Sequence, residues 1–335
     1  MTCGAMVTVH GNTNMHEYQH RPRPKRESME DPTAHAGFSS WPKADRWVSW
    51  WFMPYNGSQV ISPATAHNVI QCFRNRSNHI DSLIILCGHK LESNGSVSVN
   101  NDLLAFCENN MLQPLRKLGV VIEFVIGEAE GGGCCTNISA FRRAFTGPVM
   151  ENNIALLKEE TIRHNVSGWS FDWEPQGGDT HADRLAFASM AGKLHDAVSP
   201  LGARVTVDMF GPSSAMIGGY SSMASNVDML YNMETYDARG NLTYWNEQYA
   251  KFVNSTARDK YNDSQWFPIA KASPGFSVYE SHELTLLRPR IERLIRDKIP
   301  ELFIFQIWVS DTDGTVQIPE SWWPHVSAYK RGGYI

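Results

Sequence analysis

Short runs of β-branched and aromatic residues alternate with stretches of helical periodicity, repeating roughly every 30–45 residues from Trp47 onward. The eight candidate strands cover residues 47–54, 80–87, 119–127, 166–173, 203–210, 227–233, 267–272 and 302–308. The helical candidates lie near residues 64–75, 101–117, 150–164, 181–198, 243–255 and 283–298, with a closing helix over 319–330. This alternation predicts a closed parallel (β/α)8 TIM barrel. An open doubly wound sheet is the alternative, but no Gly-x-Gly-x-x-Gly follows the first strand.

The chain length and composition fit one such barrel. With 335 residues, of which 42% are hydrophobic, it can bury a large core without help from disulfides. Residues 45–335 are predicted to form a single barrel domain. Residues 1–44 are polar, rich in His, Pro and Arg, and without periodicity, so we expect a disordered or loosely attached leader.

The net charge and the glycosylation sequons indicate which binding partners and which cellular compartment to expect. The net charge of -5 argues against nucleic acid, and no run of eighteen apolar residues predicts a membrane span. We expect a monomer. Asn-x-Ser/Thr sequons occur at Asn56, Asn75, Asn94, Asn137, Asn165, Asn241, Asn254 and Asn262. They favour a secreted or lumenal glycoprotein, although residues 1–32 contain no apolar core typical of a signal peptide.

The cysteines and histidines predict no metal site. Six cysteines are present without a Cys-x-x-Cys pair, which argues against structural zinc, and Cys72 and Cys107 on consecutive predicted helices could form a disulfide. The stretch from His16 to His20 matches His-Glu-x-x-His, but it lies in the polar leader, where chance is the better explanation. Neither a metal nor a cofactor is expected.

The segment 166–175 combines the features of a catalytic strand. It reads Val-Ser-Gly-Trp-Ser-Phe-Asp-Trp-Glu-Pro, and Pro175 must end the strand. Catalytic groups of a barrel collect at the carboxyl ends of its strands, where Asp172 and Glu174 fall. Because alternate residues share a face, both carboxylates should point into the mouth with Ser170 below them. Because two negative charges this close repel each other, the pKa of one of the two carboxyls is raised. A general acid that works near neutral pH requires such a raised pKa.

This segment resembles the fourth strand of chitinases of glycoside hydrolase family 18, which ends in Asp-x-x-Asp-x-Asp-x-Glu. In that register the positions are Ser167, Ser170, Asp172 and Glu174, so the last two acids match and the first two are serines. The (β/α)8 barrel that the family implies agrees with the one predicted from the alternation.

Two further strands extend the resemblance across residues 47–330. The family's sixth strand ends in Met-x-Tyr-Asp, and this chain has Glu234-Thr-Tyr236-Asp237. The family's eighth strand ends in a Trp that floors the sugar site, which corresponds to Trp308. The third strand matches only loosely, through Ile126-Gly127.

The resemblance implies a retaining mechanism assisted by the substrate, an exception to the use of a carboxylate nucleophile. Glu174 would protonate the glycosidic oxygen while the sugar's 2-acetamido carbonyl attacks the anomeric carbon. Asp172 would orient the acetamido N–H, and Tyr236 would donate to the acetamido oxygen. Trp308 would stack under the same sugar. Asp237 would hydrogen-bond the sugar or the surroundings of Tyr236, or be purely structural.

Ser170 is the main departure from the family pattern, because a hydroxyl cannot hold a charge or an extra proton as the family's Asp does. The resemblance then implies a slower enzyme with an altered pH profile, or a protein that binds sugar and barely cuts it. Glu234 could compensate, and Asp208 near the end of the fifth strand is a second inward candidate. Internal salt bridging is the alternative for both.

The predicted function is hydrolysis of β-linked N-acetylglucosamine in chitin-like oligosaccharides or N-glycans. Deep-cleft family members carry an insertion domain after the seventh strand, for which residues 273–302 leave no room, so a shallow groove is expected. A non-catalytic, lectin-like barrel is the first alternative, although family lectins usually lose the acid that is present here as Glu174. The second is a barrel hydrolase with two catalytic carboxylates, in which Glu234 would be the nucleophile.

The aromatic residues of the first strand, Trp47, Trp50 and Trp51, are expected in the core rather than at a ligand, although one near the strand end could line the cleft.

Overall fold

A computed structural model describes most of the chain from Arg46 onward. The described ranges are 46–56, 59–76, 79–128, 138–172, 180–209, 223–235, 241–253, 268–278, 284–305, 307–309, 316–317 and 320–335. The predicted leader, residues 1–44, and the His16–His20 motif lie outside them.

Eight parallel strands form one closed ring, as the alternation predicts. The strands are β1 (Trp47–Phe52), β2 (Ser82–Ile85), β3 (Val121–Glu128), β4 (Gly168–Asp172), β5 (Arg204–Met209), β6 (Met229–Asn232), β7 (Ala272–Ser277) and β8 (Glu301–Phe305). Each strand pairs with the next along the chain, and β8 pairs with β1. The prediction of a (β/α)8 barrel is confirmed.

Helices surround the ring. They are α1 (Pro63–Asn75), α2 (Asn101–Cys107), α3 (Gln113–Lys117), α4 (Ile138–Ala144), α5 (Gly147–His164), α6 (His181–Val198), α7 (Leu242–Val253), α8 (Leu284–Arg296) and α9 (Trp323–Arg331). A π-helical turn, Glu108–Leu112, joins α2 to α3 within the single helix predicted over 101–117. Short 3-10 turns are Ser199–Leu201, Met233–Thr235, Ile269–Lys271 and Glu320–Trp322.

Side-chain hydrogen bonds fix where two of these helices begin. Thr180 and Asp183 form a capping box at the start of α6, since the Thr180 hydroxyl accepts from the Asp183 N–H and the carboxylate accepts from the Thr180 N–H. The N-cap of α2 is Asn100. Asn100 has the extended backbone of a cap, and its side chain accepts from the Leu103 N–H at 3.1 Å.

Three pairs of short antiparallel strands follow the carboxyl ends of β1, β2 and β8. They are Tyr55–Asn56 with Gln59–Val60, His89–Leu91 with Val97–Val99, and Trp308–Val309 with Val316–Gln317. The strand His89–Leu91 also pairs in parallel with the end of β3, so the second pair extends the barrel sheet at that edge.

The seventh strand lies later in the chain than predicted. The range 267–272 was expected, whereas the 3-10 turn Ile269–Lys271 precedes a strand over Ala272–Ser277. Pro274 and Gly275 disfavour a strand in sequence, yet the ring accommodates both beside β6 and β8. In the connection from β7 to β8, the described residues 284–300 contain α8 and no insertion domain, as predicted.

The disulfide considered between Cys72 and Cys107 does not form. Both are free thiols, as is Cys87. Trp47, Trp50 and Trp51 of the first strand are all buried, as expected of core residues.

The sequon asparagines whose side chains the structure describes, Asn75, Asn94, Asn165 and Asn241, are exposed. No helix in the described part of the chain is long and apolar enough to cross a membrane.

The interior of the ring has an apolar middle, because alternate residues of each strand point inward. A cluster separate from the main core fills it with Trp51, Ile84, Val125, Met229, Tyr231 and Phe303. The larger core lies between the strands and the helices. The interior therefore offers charged groups a place only toward its two ends.

At the amino-terminal end of the ring, Arg204 joins two buried glutamates. Its guanidinium donates to Glu301 at 2.8 and 2.9 Å and to Glu123 at 2.5 Å, and all three side chains are at least 90% buried. The Tyr231 hydroxyl donates to Glu301 at 2.7 Å. A Cβ at position 168 would come within 2.8 Å of the Glu123 side chain, so Gly168 leaves room for this network.

The Arg204 network predicts a large stability effect. We expect Arg204→Met to lower the free energy of unfolding by roughly 3–5 kcal/mol, because it leaves two buried carboxyls without their cation. Urea unfolding measures the change. The exposed Arg288, which is 62% accessible and pairs with Glu292 within α8, is the control. Its replacement by Met should cost less than about 1 kcal/mol, and equal losses for the two variants would contradict a special role for the network.

Candidate active site at the mouth of the barrel

The carboxyl end of β4 brings two of the predicted site residues to the mouth of the barrel. Ser170 and Asp172 lie two positions apart, so their side chains share the inner face of the strand. Ser170 is completely buried, whereas Asp172 at the strand end is half-buried. Ser170 therefore lies beneath an acid that solvent can reach, as the sequence predicts.

A second acid reaches the same place from the neighbouring strand. Asp208 on β5 is in register with Asp172 on β4, and paired strands lie about 4.8 Å apart. The Ser170 hydroxyl donates to Asp208 Oδ2 at 3.0 Å. Asp208 is only 1% exposed, so β4 and β5 together place two carboxyls and a hydroxyl at one end of the barrel interior.

The surroundings of Asp208 favour its protonated form. Burial raises the pKa of the Asp208 carboxyl well above its usual range, and the negative charge of Asp172 raises it further. The hydrogen bonds from Ser170 and Trp51 act in the opposite direction without cancelling these effects. Asp208 thus differs from an ordinary surface aspartate, whose carboxyl ionises near pH 3.9.

Aromatic side chains line the same end of the interior. The rings of Trp51 on β1 and Phe305 on β8 lie 5.2 Å apart, with Met53 and Leu86 packed against the interior cluster. Trp51 is buried, whereas Phe305 is partly exposed. The acids therefore stand beside an apolar wall, which lowers the effective dielectric around them.

Most of the remaining predicted residues lie outside the described ranges. Glu174, Tyr236 and Asp237 are among them. Only the backbone is described for Glu234 and Trp308.

Glu234 and Trp308 do not lie at strand ends, where the sequence places them. Glu234 lies in the 3-10 turn Met233–Thr235 after β6, so the alternation of a strand does not set its direction. The Thr235 hydroxyl fixes this turn by bonding to the carbonyls of Asn232 and Gly275, both at 2.8 Å. Trp308 follows β8 in the antiparallel pair with 316–317 rather than ending β8 itself.

No metal centre is visible in the part of the chain that the structure describes. No group of three or more His, Cys, Asp or Glu side chains there is arranged to hold an ion. The chemistry that the described mouth can perform is that of carboxyls, one favouring its neutral form and one more accessible to solvent.

The raised pKa of Asp208 predicts that removing its ionisable carboxyl stabilises the protein at neutral pH, whereas most substitutions of buried residues destabilise. Its pKa is raised in the folded protein, so the folded state binds more protons than the unfolded state above the unfolded pKa. Stability therefore falls as pH rises from about 4 toward neutrality. Asp208→Asn should remove this loss, which is roughly 1.4 kcal/mol for each pH unit over which folded Asp208 keeps its proton, and so raise the free energy of unfolding at pH 7 by up to about 4 kcal/mol, with little gain at pH 4.

Urea titrations at both pH values measure this change. The matched control is Asp196→Asn on α6, where the native side chain is 88% exposed. A destabilising Asp208→Asn at pH 7, with no change in the control, would contradict the assigned state of Asp208.

Comparison with known proteins shows similarity of fold. No protein-family model and no curated protein sequence matches the chain. A Group IV chitinase of Ostrinia furnacalis, solved in complex with allosamidin, matches with a TM-score of 0.59 at 12% identity, covering 86% of this chain and 100% of that one. The spore cortex-lytic enzyme SleL of Bacillus megaterium QM B1551 matches with a TM-score of 0.58 at 10% identity, covering 87% and 74%.

A class V chitinase of Pseudomonas fluorescens Pf-5 matches with a TM-score of 0.58 at 8% identity, covering 84% of this chain and 98% of that one. At identities this low, the similarity concerns the backbone rather than the residues of the mouth. The chain has a barrel of the kind found in chitinases and in a spore cortex-lytic enzyme.

Proposed function

We propose that this protein is a glycosidase that cleaves β-linked N-acetylglucosamine in chitin-like oligosaccharides or N-glycans. The observation that carries the proposal is the meeting of Ser170, Asp172 and Asp208 at the carboxyl ends of β4 and β5. This is the end at which TIM-barrel enzymes build their active sites. The motif that continues from Asp172 to Glu174, and the chitinases among the structural neighbours, favour sugar hydrolysis.

In the proposed mechanism Glu174 is the general acid. It protonates the glycosidic oxygen as the bond to the leaving sugar breaks, a role that requires its carboxyl to be protonated near neutral pH. The 2-acetamido carbonyl of the substrate attacks the anomeric carbon from the opposite face. Water then opens the resulting oxazolinium ring, with Glu174 accepting the proton of the water. The configuration at the anomeric carbon is retained.

Asp172 serves this mechanism as an anion. It accepts a hydrogen bond from the acetamido N–H, which aligns the carbonyl for attack and stabilises the positive charge that develops on the ring. Tyr236 donates to the acetamido oxygen, and Trp308 stacks against the sugar face. Asp237 either hydrogen-bonds the sugar or the surroundings of Tyr236, or has a purely structural role, and Glu234 borders the sugar site.

A carbohydrate-binding protein without turnover is the second candidate, and Ser170 is the observation that favours it. A buried serine supplies a hydrogen bond at a position where the chitinase motif has a carboxyl. Binding would need only the groove and the polar groups around it, while hydrolysis also needs the acid Glu174.

The test compares the wild type with Glu174→Gln on a chito-oligosaccharide, an N-glycopeptide and a glucose-based oligosaccharide. We expect cleavage only of substrates that contain N-acetylglucosamine, and a loss in kcat of about 10²- to 10⁴-fold in the variant, as for removal of a general acid. Glu159→Gln is the matched control, since Glu159 on α5 is 64% exposed and should leave kcat unchanged.

Three outcomes separate the candidates. Binding that saturates without turnover in the wild type would replace the enzyme by the sugar-binding protein. Cleavage of the glucose-based substrate would contradict assistance by the acetamido group and favour two catalytic carboxylates, with Glu234 as nucleophile. Equal rates for the wild type and Glu174→Gln would remove Glu174 from the mechanism.

A further inference from the structure

Asp208 occupies the place from which a side chain can act on Asp172 through the barrel interior. The two aspartates are register partners on β4 and β5. Ser170 is one step below Asp172 on the same face and donates its hydroxyl hydrogen to Asp208 at 3.0 Å. A polar cluster thus connects two adjacent strands beneath the solvent-accessible acid.

Within the described part of the chain, the charges that act on Asp208 are mainly negative. Asp172 faces it from β4 and Glu123 from β3, and both oppose its ionisation. On its own strand, Arg204 is four positions earlier, and its guanidinium bonds to Glu123 and Glu301. From β6, Tyr231 is in register with Asp208, but its hydroxyl donates to Glu301. The Trp51 side chain approaches from β1 as an uncharged donor.

Two adjacent carboxyls in such surroundings cannot both ionise near neutral pH. Complete burial disfavours the anion of Asp208, whereas Asp172 is partly open to water. Burial therefore disfavours the anion of Asp208 more than that of Asp172.

We propose that Asp208 is a positioning residue that holds a proton next to Asp172 and so keeps Asp172 in its anionic, correctly directed form. Ser170 cannot perform this task, because its hydroxyl has no second proton to retain or release at these pH values. The carboxyl that the site needs beside Asp172 is thus supplied by β5 rather than by β4. This inference rests on the proposed function for its effect on turnover, but not for the state of the proton.

The proton on Asp208 can be observed without turnover. Carbon-13 NMR of the full chain labelled at aspartate carboxyls, with the Asp208 signal identified by its absence in Asp208→Ala, reports whether this carboxyl is protonated. We expect a protonated Asp208 at pH 7. An ionised Asp208 at that pH would overturn the proposal.

Moving the carboxyl from position 208 on β5 to position 170 on β4 tests its effect on catalysis. With a fluorogenic chitobioside as substrate, Asp208→Ala should lower kcat about 10- to 100-fold, a loss at the lower end for proton-handling groups, with KM unchanged. The acid limb of the pH–rate profile should move to higher pH, because Asp172 loses the protonated neighbour that stabilises its anion. Adding Ser170→Asp to Asp208→Ala should restore at least about half of the lost activity on a logarithmic scale and move the acid limb back.

Matched controls separate positioning from mere packing. Adding Ser170→Ala to Asp208→Ala supplies no carboxyl and should restore nothing, and Asp196→Ala on the exposed face of α6 should leave kcat and the pH profile unchanged. A wild-type kcat and pH profile in Asp208→Ala would overturn the proposal. So would a loss that Ser170→Asp and Ser170→Ala leave equally uncorrected.

The failure of the proposed function has a different signature. If the wild type cleaves no substrate that contains N-acetylglucosamine, the glycosidase assignment fails, while the NMR measurement still decides whether Asp208 holds the proton.

Discussion

The hydrogen-bonded pairing of Arg204 with Glu123 and Glu301 determines how charge is distributed inside the barrel. The three side chains come from β5, β3 and β8, so their contacts cross the interior rather than follow neighbouring strands. An unpaired charge at this depth would cost several kcal/mol. Arg204 therefore stays at the amino-terminal end of the ring, where its positive charge neutralises Glu123 and Glu301, which have no access to water.

The consequence appears at the opposite end of the same strand. Arg204, Thr206 and Asp208 alternate along the inner face of β5, and the Thr206 hydroxyl donates to Glu123 at 3.2 Å. Above the apolar middle layer, Asp208 meets Asp172 and Ser170, and the principal charges acting on Asp208 are acidic. A barrel with this polarity presents carboxyls of unequal proton affinity at its mouth, which is the arrangement that acid–base catalysis uses.

The sequence predicted the ring because strands buried on both sides consist of apolar runs, which stand out from the helical stretches between them. It failed at β7, where Pro274 and Gly275 fit the barrel only because β6 and β8 pair with the strand on both sides. Cys72 and Cys107 looked like a possible disulfide because helix order alone does not show which sulfurs approach each other.

The candidate site was predictable where strand alternation decides direction. This holds for Ser170, Asp172 and Asp208, which all follow from the register of β4 and β5. It does not hold for Glu234 and Trp308, since β6 and β8 end before these residues and the chain continues in a 3-10 turn and in a separate strand pair. The link between Arg204 and its glutamates could not be predicted, because it joins residues far apart in sequence that only the closed ring brings together.

The most direct measurement of the central claim is the anomeric configuration of the first product released from a chito-oligosaccharide, followed by proton NMR before mutarotation. Attack by the substrate's own acetamido group, with water entering from the face that the leaving sugar vacated, predicts that the β-anomer appears first. Initial appearance of the α-anomer would mean direct displacement by water and would contradict substrate assistance at this mouth.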